Sequence, residues 1–329
     1  MMDQLVARFP EQLKEAMEIG AMAKINKHTS DIRNIFVTGL GGSGIGGNFV
    51  IELVRKELKV PMTINKSYEI PAYIDASTLV IVSSYSGNTE ETLTAFHLLK
   101  NSGSKVVCVS SGGKLIELAI ECGFDYIKLP DNWPSPRACL GYSLVQQIFI
   151  LNHLGLISDT LPKLVGTSYA LLEAETEDIR DKAKLVAQML VGKIPIIYTT
   201  DRMESVAVRF RQQINENSKM LCWHHVLPEM NHNELVGWRE KRDEWAVVVF
   251  RNSDDYDRNV VRLDICKEII NNYAPTYIEL FSKGNSLMER MMYFVHLGDW
   301  ISVELAQLRN VNANEVLVID FLKAELGKV

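Results

Sequence analysis

Short runs rich in β-branched residues, each followed by a helical pattern, recur along this chain and constrain its fold more than any other feature. The first is Asn34-Ile-Phe-Val-Thr-Gly39, an apolar run stopped by glycine. A glycine-rich turn and a helix over Asn48–Leu58 follow it. Strands are expected at Met62–Asn65, Leu79–Ser84 and Lys105–Ser110, then a helix near Leu115–Glu121 and a short strand at Tyr126–Leu129. Runs apolar on both faces, alternating with helices, predict a parallel sheet covered on both sides. The alternation restarts after a Pro-rich loop at Asp131–Arg137, a helix near Leu144–Leu154 and a charged helix over Ala170–Leu190. Strands are expected at Ile194–Thr199, Lys219–Trp223, Trp245–Phe250 and Thr276–Leu280, and helices at Ser205–Asn215 and Val260–Asn271. A leading helix through Leu5, Phe9, Leu13 and Met17, and closing helices at Leu287–Leu308 and Val316–Leu326, complete the pattern. The expectation is an α/β protein of two doubly wound parallel-sheet domains, 1–160 and 161–329. That count suits 329 residues at roughly 100–200 per domain.

Composition narrows the function classes. The net charge is -6 and there is no basic tract, so nucleic acid is not an expected partner. No stretch approaches the ~20 apolar residues of a membrane span. Met1 to Ala21 carries Asp3, Glu11, Glu15 and Glu18 and does not read as a secretory signal. The five cysteines lie apart with no Cys-x-x-Cys pair, which fits a reducing cytoplasm.

Two loops carry candidate ligand chemistry. Gly39-Leu-Gly41-Gly42-Ser43-Gly44-Ile-Gly46-Gly47 formally matches the dinucleotide fingerprint G-x-G-x-x-G. The second strand, however, leads into Lys66-Ser-Tyr instead of an acidic ribose ligand, and Gly44 is followed by Ile45, not by the Lys of a P-loop. The glycines read instead as a close backbone approach to some ligand, with the Ser43 hydroxyl beside Gly42. The other loop, Ser83-Ser84-Tyr-Ser86-Gly-Asn88-Thr89-Glu-Glu91-Thr92, sets several hydroxyls at a helix N-terminus, where free N–H groups and the helix dipole favour an anion. Ser84, Ser86 and Thr89 thus form a neutral phosphate cradle. Simple helix capping by Asn88 and Glu91 is the competing reading.

Ser-Tyr-Ser-Gly-Asn-Thr-Glu-Glu-Thr, preceded by Gly-Leu-Gly-Gly-Ser-Gly-Ile-Gly-Gly, resembles the sugar isomerase (SIS) domain. With Pro136-Arg137-Ala-Cys-Leu-Gly-Tyr142, nearly the whole chain resembles the bifunctional phosphoglucose/phosphomannose isomerases. The resemblance implies two SIS domains per subunit and a cytoplasmic homodimer whose active sites use both subunits. It implies interconversion of glucose 6-phosphate and fructose 6-phosphate through a cis-enediol, without a cofactor. Ser43, Ser84, Ser86 and Thr89 would hold the sugar phosphate.

Isomerisation needs a donor for ring opening, a base for the C2 proton and a group to stabilise the enediolate. By the resemblance, Glu216 of Asn215-Glu-Asn217 is the base. His232 of Asn231-His-Asn233 opens the ring from the neighbouring subunit, an imidazole being suited to proton shuttling at neutral pH. Arg137 faces the enediolate and Lys323 lies near the sugar. Each has a plainer reading: a solvated helix-end glutamate, a loop histidine, a surface ion pair and a solvated lysine. A metal at His224, His225, Glu229, His232 and Glu234 is not expected, because the spacing is not His-Glu-x-x-His and Pro228 interrupts it. Family members often carry Asp-Pro-Thr-Pro before the last helix, with the threonine tied to mannose 6-phosphate. Here Asn310-Val-Asn312-Ala313-Asn314-Glu315 stands instead, which leaves phosphomannose isomerase activity open. The alternatives are a non-catalytic SIS sensor of sugar phosphates, or an isomerase of another phosphosugar.

Overall fold

The computed structural model describes residues 1–328 and divides into two units. One comprises Ala7–Ala174 and Gly284–Glu289. The other comprises Met1–Val6, Glu175–Lys283 and the chain from Arg290 onward.

In chain order the leading helices are α1 (Met2–Ala7) and α2 (Phe9–Met22). Then come β1 (Asn34–Thr38), α3 (Gly41–Val54), β2 (Met62–Asn65), β3 (Thr78–Ser83), α4 (Glu90–Leu99), β4 (Lys105–Ser110), α5 (Gly113–Cys122) and β5 (Asp125–Lys128). A 3-10 turn at Pro136–Ala138 leads to α6 (Leu140–His153) and α7 (Thr160–Ala174). These strands form an all-parallel sheet in the order β2-β1-β3-β4-β5. Every residue of β3 is buried, as a central strand covered on both faces requires. One face packs Phe36, Val80, Val82 and Cys108 against Phe96, Leu99 and Leu115. Each such side chain contributes about 1.5–3 kcal/mol on burial.

The second unit continues with α8 (Thr176–Leu190), β6 (Ile194–Thr200), α9 (Glu204–Ser218), β7 (Trp223–Leu227), β8 (Trp245–Arg251), α10 (Asp257–Ile270), β9 (Thr276–Phe281), α11 (Leu287–Leu308) and α12 (Leu317–Leu326). Its sheet is again parallel, in the order β7-β6-β8-β9. That order repeats β2-β1-β3-β4, so β6 stands where β1 stands and β8 where β3 stands. No helix among the described residues is long and apolar enough to cross a membrane.

Four local expectations shift. The glycine run is helix, not turn: α3 begins at Gly41 and only Gly41 has a positive φ, +51°. The reason is packing. A Cβ at Gly44 would lie 2.3 Å from the Gly39 carbonyl oxygen, one at Gly46 2.9 Å from Ser143 Oγ, and one at Gly47 2.4 Å from Ile64 Cδ1. The segment 170–190 is two helices that break at Glu175, not one. Helix α9 runs on through Asn215-Glu216-Asn217 to Ser218 before Lys219 turns left-handed at φ +56°. The strand expected at Lys219–Trp223 therefore starts at Trp223 and carries His224 and His225.

Candidate functional site

In the five-stranded sheet the connection leaving β1 runs to β2 on one side, and the connection leaving β3 runs to β4 on the other. The carboxyl ends of β1 and β3 thus flank a topological switch point, where open α/β sheets bind their ligands. Both chain segments leaving those ends enter helices. After Thr38 the chain reaches the N-terminus of α3, and after Ser83 it reaches that of α4. Gly39 allows the two to meet, since a Cβ there would sit 2.6 Å from the Ser83 carbonyl oxygen and 3.2 Å from Ser43 Cβ.

Ser43 lies in the first turn of α3 and is buried. Its carbonyl accepts from Ser143 Oγ at 3.1 Å, while its hydroxyl makes no hydrogen bond among the described residues. Ser84 Oγ and Thr89 Oγ1 are 2.9 Å apart, and Ser84 Oγ also accepts from Gly87 N at 3.2 Å. Ser86 is exposed and its Oγ accepts from Asn88 N at 3.3 Å. Thr89 is the N-cap of α4, yet its side chain makes no cap bond, so the first N–H groups of that helix stay open to a ligand. The capping box does not form: Asn88 Oδ1 accepts instead from Lys114 N at 3.0 Å. Two acids stand in this first turn, and Tyr68 Oη reaches Glu90 Oε1 at 3.4 Å.

A second layer braces the loop. The Tyr85 carbonyl accepts from Ser111 N at 3.0 Å and from Ser111 Oγ at 2.7 Å, and Tyr85 Oη donates to the Pro130 carbonyl at 2.8 Å. Burial pushes the Tyr85 phenol up, so it remains a donor. Leu115 N donates to the Gly87 carbonyl at 3.0 Å.

Arg137 occupies the 3-10 turn Pro136–Ala138 and is half-buried. The Pro136 carbonyl oxygen would lie 3.4 Å from a Cβ on Gly42, which brings the arginine's turn against the start of α3. Gln12 holds that turn: Nε2 donates to the Ala138 carbonyl at 2.9 Å, and Oε1 accepts from Gly141 N at 2.8 Å. Lys66, noticed in the sequence only because it is not acidic, extends beside α3. Its Cε would be 3.2 Å from a Cβ on Gly44, and its Nζ donates to Asn48 Oδ1 at 2.8 Å. The structure thus sets Gly42 and Ser43 at the start of α3, Ser84, Ser86 and Thr89 on the loop into α4, and the turn of Arg137 against Gly42.

The same position of the second sheet is already filled. Between the ends of β6 and β8, the Asp255 carboxylate accepts from Thr200 Oγ1 at 2.7 Å, Asn252 N at 3.2 Å and Asn252 Nδ2 at 3.2 Å. Asp254 pairs with Arg202 and with buried Arg290, each at 3.1 Å. A hydroxyl, an amide and a backbone N–H here surround the chain's own carboxylate, whose pKa burial raises.

Glu216, His232 and Lys323 stand on separate elements of the second unit. Glu216 is half-buried in the last turn of α9. Asn217 Nδ2 donates to Ser302 Oγ at 2.9 Å and Ser218 Oγ to the Ser302 carbonyl at 2.7 Å, which fixes that turn on α11. Further up α9, Arg209 meets Asp299 through two bonds of 3.1 and 2.7 Å, both side chains being buried. Burial still raises the Asp299 pKa despite Arg209. Removing either partner of such a pair costs about 3–5 kcal/mol. Lys219 Nζ donates to the Glu216 carbonyl at 2.5 Å and to the Glu315 carbonyl at 2.8 Å, tying the connector before α12 to the Glu216 turn. His232 is exposed in a 3-10 turn after β7. Lys323 is exposed on α12. His224, half-buried on β7, is pushed down to about 4 by burial and by nearby Arg211 and His225. Among the described residues no group of three or more His, Cys, Asp or Glu side chains is arranged to hold a metal ion.

Residues 179–326 match the family described as the bacterial phospho-glucose isomerase C-terminal SIS domain. A bifunctional phosphoglucose/phosphomannose isomerase of Caldicellulosiruptor bescii is 39% identical, covering 98% of this chain and 98% of its own. One of Aquifex aeolicus is 37% identical over 92% of this chain and 93% of its own. A D-glucosamine-6-phosphate 4-epimerase of Sulfolobus acidocaldarius is 30% identical over 85% of each chain. Among solved structures, the C-terminal domain of glucosamine-fructose-6-phosphate aminotransferase from Francisella tularensis superposes with a TM-score of 0.77 at 14% identity, covering 95% of this chain and 98% of that one.

Proposed function

The chain belongs to the bifunctional phosphoglucose/phosphomannose isomerase family, and on that premise we propose that it interconverts glucose 6-phosphate and fructose 6-phosphate. The observation that carries this reading is the set of hydroxyls at the starts of α3 and α4, whose N-termini have no side-chain caps and suit a phosphate monoester. Ser43, Ser84, Ser86 and Thr89 hold the phosphate, with Gly42 leaving room beside them. Arg137 stabilises the enediolate, Glu216 moves the proton between C2 and C1, His232 opens the ring and Lys323 lies near the sugar. The fastening of Asn217 and Ser218 to Ser302 supports Glu216 as a positioned base.

The working form we propose is a cytoplasmic homodimer. Every residue of α12 is exposed, among them Leu317, Val318, Phe321 and Leu322. A helix this apolar calls for cover, and a second copy of the chain supplies it. Exposure of His232 supports its service to a neighbouring site. All five cysteines are free thiols, as a reducing compartment allows. A second reading, another phosphosugar as substrate, draws on the relative named as an epimerase. A coupled assay offering glucose 6-phosphate, fructose 6-phosphate and mannose 6-phosphate, with a chelator present, tests the proposal. Turnover of the glucose and fructose esters is expected; turnover of neither refutes it.

A further inference from the structure

His232 is carried by a segment that the second unit grips on both sides. After β7 the chain forms two 3-10 turns, Glu229–His232 and Glu234–Gly237. Ahead of the histidine, Asn231 Oδ1 accepts from Arg262 Nη1 at 3.2 Å, and Asn231 Nδ2 lies 3.0 Å from Cys266 Sγ. Behind it, the Glu234 carboxylate accepts from the Tyr198 hydroxyl and, at 3.2 Å, from Trp223 Nε1. Trp238 Nε1 donates to Tyr198 Oη at 3.2 Å. Asn233 Nδ2 donates to Glu229 Oε1 at 2.8 Å, while Asn233 Oδ1 accepts from Glu234 N at 2.6 Å. Between these anchored neighbours, the exposed His232 side chain makes no hydrogen bond among the described residues.

Tyr198 is the least expected member of this set. It lies on β6, 1% exposed, among Ile196, Leu227, Met230, Val247 and Val249. A phenylalanine would pack in the same cluster without placing a hydroxyl in it. The hydroxyl instead reaches out of the core to donate to the Glu234 carboxylate, two residues beyond His232. Burial, with Glu234 beside it, pushes the phenol up, so it donates at every working pH.

The geometry points to Tyr198 and Glu234 as positioning residues, whose hydrogen bond sets the turn that presents His232, so that ring opening depends on a hydroxyl buried in the sheet. This rests on the ring-opening role proposed for His232. Neither residue need touch the sugar. The pair fixes the backbone from which the imidazole projects, and a misplacement of about 1 Å can cost on the order of 10²-fold in rate.

The test separates ring opening from proton transfer. Glucose 6-phosphate must be opened. An aldotetrose 4-phosphate cannot close a ring, because its phosphate occupies the hydroxyl that would do so. Tyr198→Phe is expected to lower kcat/KM on glucose 6-phosphate by about 10- to 100-fold. Exchange of the tetrose C2 proton with deuterated water should be unchanged. Glu234→Gln, which keeps an accepting oxygen, should retain activity that Glu234→Ala loses. In a His232→Ala background, Tyr198→Phe should cause no further loss, since both remove one function. Wild-type activity of Tyr198→Phe while His232→Ala is impaired overturns the inference alone. So does an equal loss on both substrates, or a further loss in the His232→Ala background, because each marks a merely structural role. Full glucose 6-phosphate activity of His232→Ala by itself strikes the ring-opening reading and takes the inference with it.

Discussion

Gly87 offers the sharpest perturbation of the proposed phosphate cradle. It sits between Ser84 and Thr89 at φ +70°, and its N–H donates to the Ser84 carbonyl at 3.1 Å and to Ser84 Oγ at 3.2 Å. A Cβ there would lie 1.9 Å from the Gly112 carbonyl oxygen, whereas ordinary contact begins at 3.4 Å, so one backbone must yield by about 1.5 Å. No rotamer relieves this, because the clash involves the β-carbon itself. The left-handed conformation adds about 1–2 kcal/mol for alanine. Moving the loop away from Gly112 displaces the Ser84, Ser86 and Thr89 hydroxyls together. Gly87→Ala should therefore weaken inorganic phosphate and glucose 6-phosphate on the order of 10²-fold, read by calorimetry. Gly123→Ala is the control, since its φ is +69° but nothing lies within 4 Å of the added carbon. It carries the conformational cost alone, and should lower Tm modestly while leaving phosphate binding intact. A folded Gly87→Ala that binds phosphate like wild type refutes the argument, as does equal weakening in Gly123→Ala.

Ser84→Ala combined with Thr89→Ala should weaken sugar phosphates and inorganic phosphate in parallel, by about 1.5–3 kcal/mol per hydrogen bond to the charged phosphate lost; weakened NAD binding with intact phosphate binding would restore the dinucleotide reading. Acid should destabilise the fold through two histidines. Burial, with nearby positive charges, drives His224 down to about 4 and His296 down to about 3, each below an unfolded value of about 6.5. The unfolded chain then binds more protons than the folded one, so stability is full above about pH 6.5 and is lost as pH falls toward 4. The loss is about 1.4 kcal/mol per histidine per pH unit in that window. Urea unfolding at pH 7 and 5 measures it, and His296→Gln should make the slope shallower by about one proton.

The sheets were legible because β3, β6 and β8 are central strands whose residues must nearly all be apolar. Strand β7 was misplaced by four residues because it lies at a sheet edge, where His224 and His225 are tolerated and read as loop. Asparagines usually end helices, so Asn215 and Asn217 suggested that α9 had stopped; the buried bond from Asn217 to Ser302 overrides that preference. In α3 the glycines misled in the same way, since glycine disfavours helix interiors unless a neighbour comes too close for a side chain. The placement of the Ser84, Ser86 and Thr89 hydroxyls at the start of α4 was legible because these residues are nearly contiguous. The residues that brace it were not: Gln12 meets Ala138 and Tyr85 meets Pro130 across long stretches of chain. Nor could the sequence show that Asp255 fills the second sheet's crevice, because an acidic loop residue is ordinarily solvated.

Glu216 is proposed to move a proton between C2 and C1 of a hexose phosphate held by Ser43, Ser84, Ser86 and Thr89. Incubation with glucose 6-phosphate in deuterated water, followed by NMR, tests it directly. The wild type should form fructose 6-phosphate and place deuterium at C2 of the recovered glucose ester. Glu216→Gln should lose both by about 10²–10⁴-fold while still binding inorganic phosphate normally. Wild-type isotope exchange and conversion in Glu216→Gln would remove Glu216 from the proton transfer.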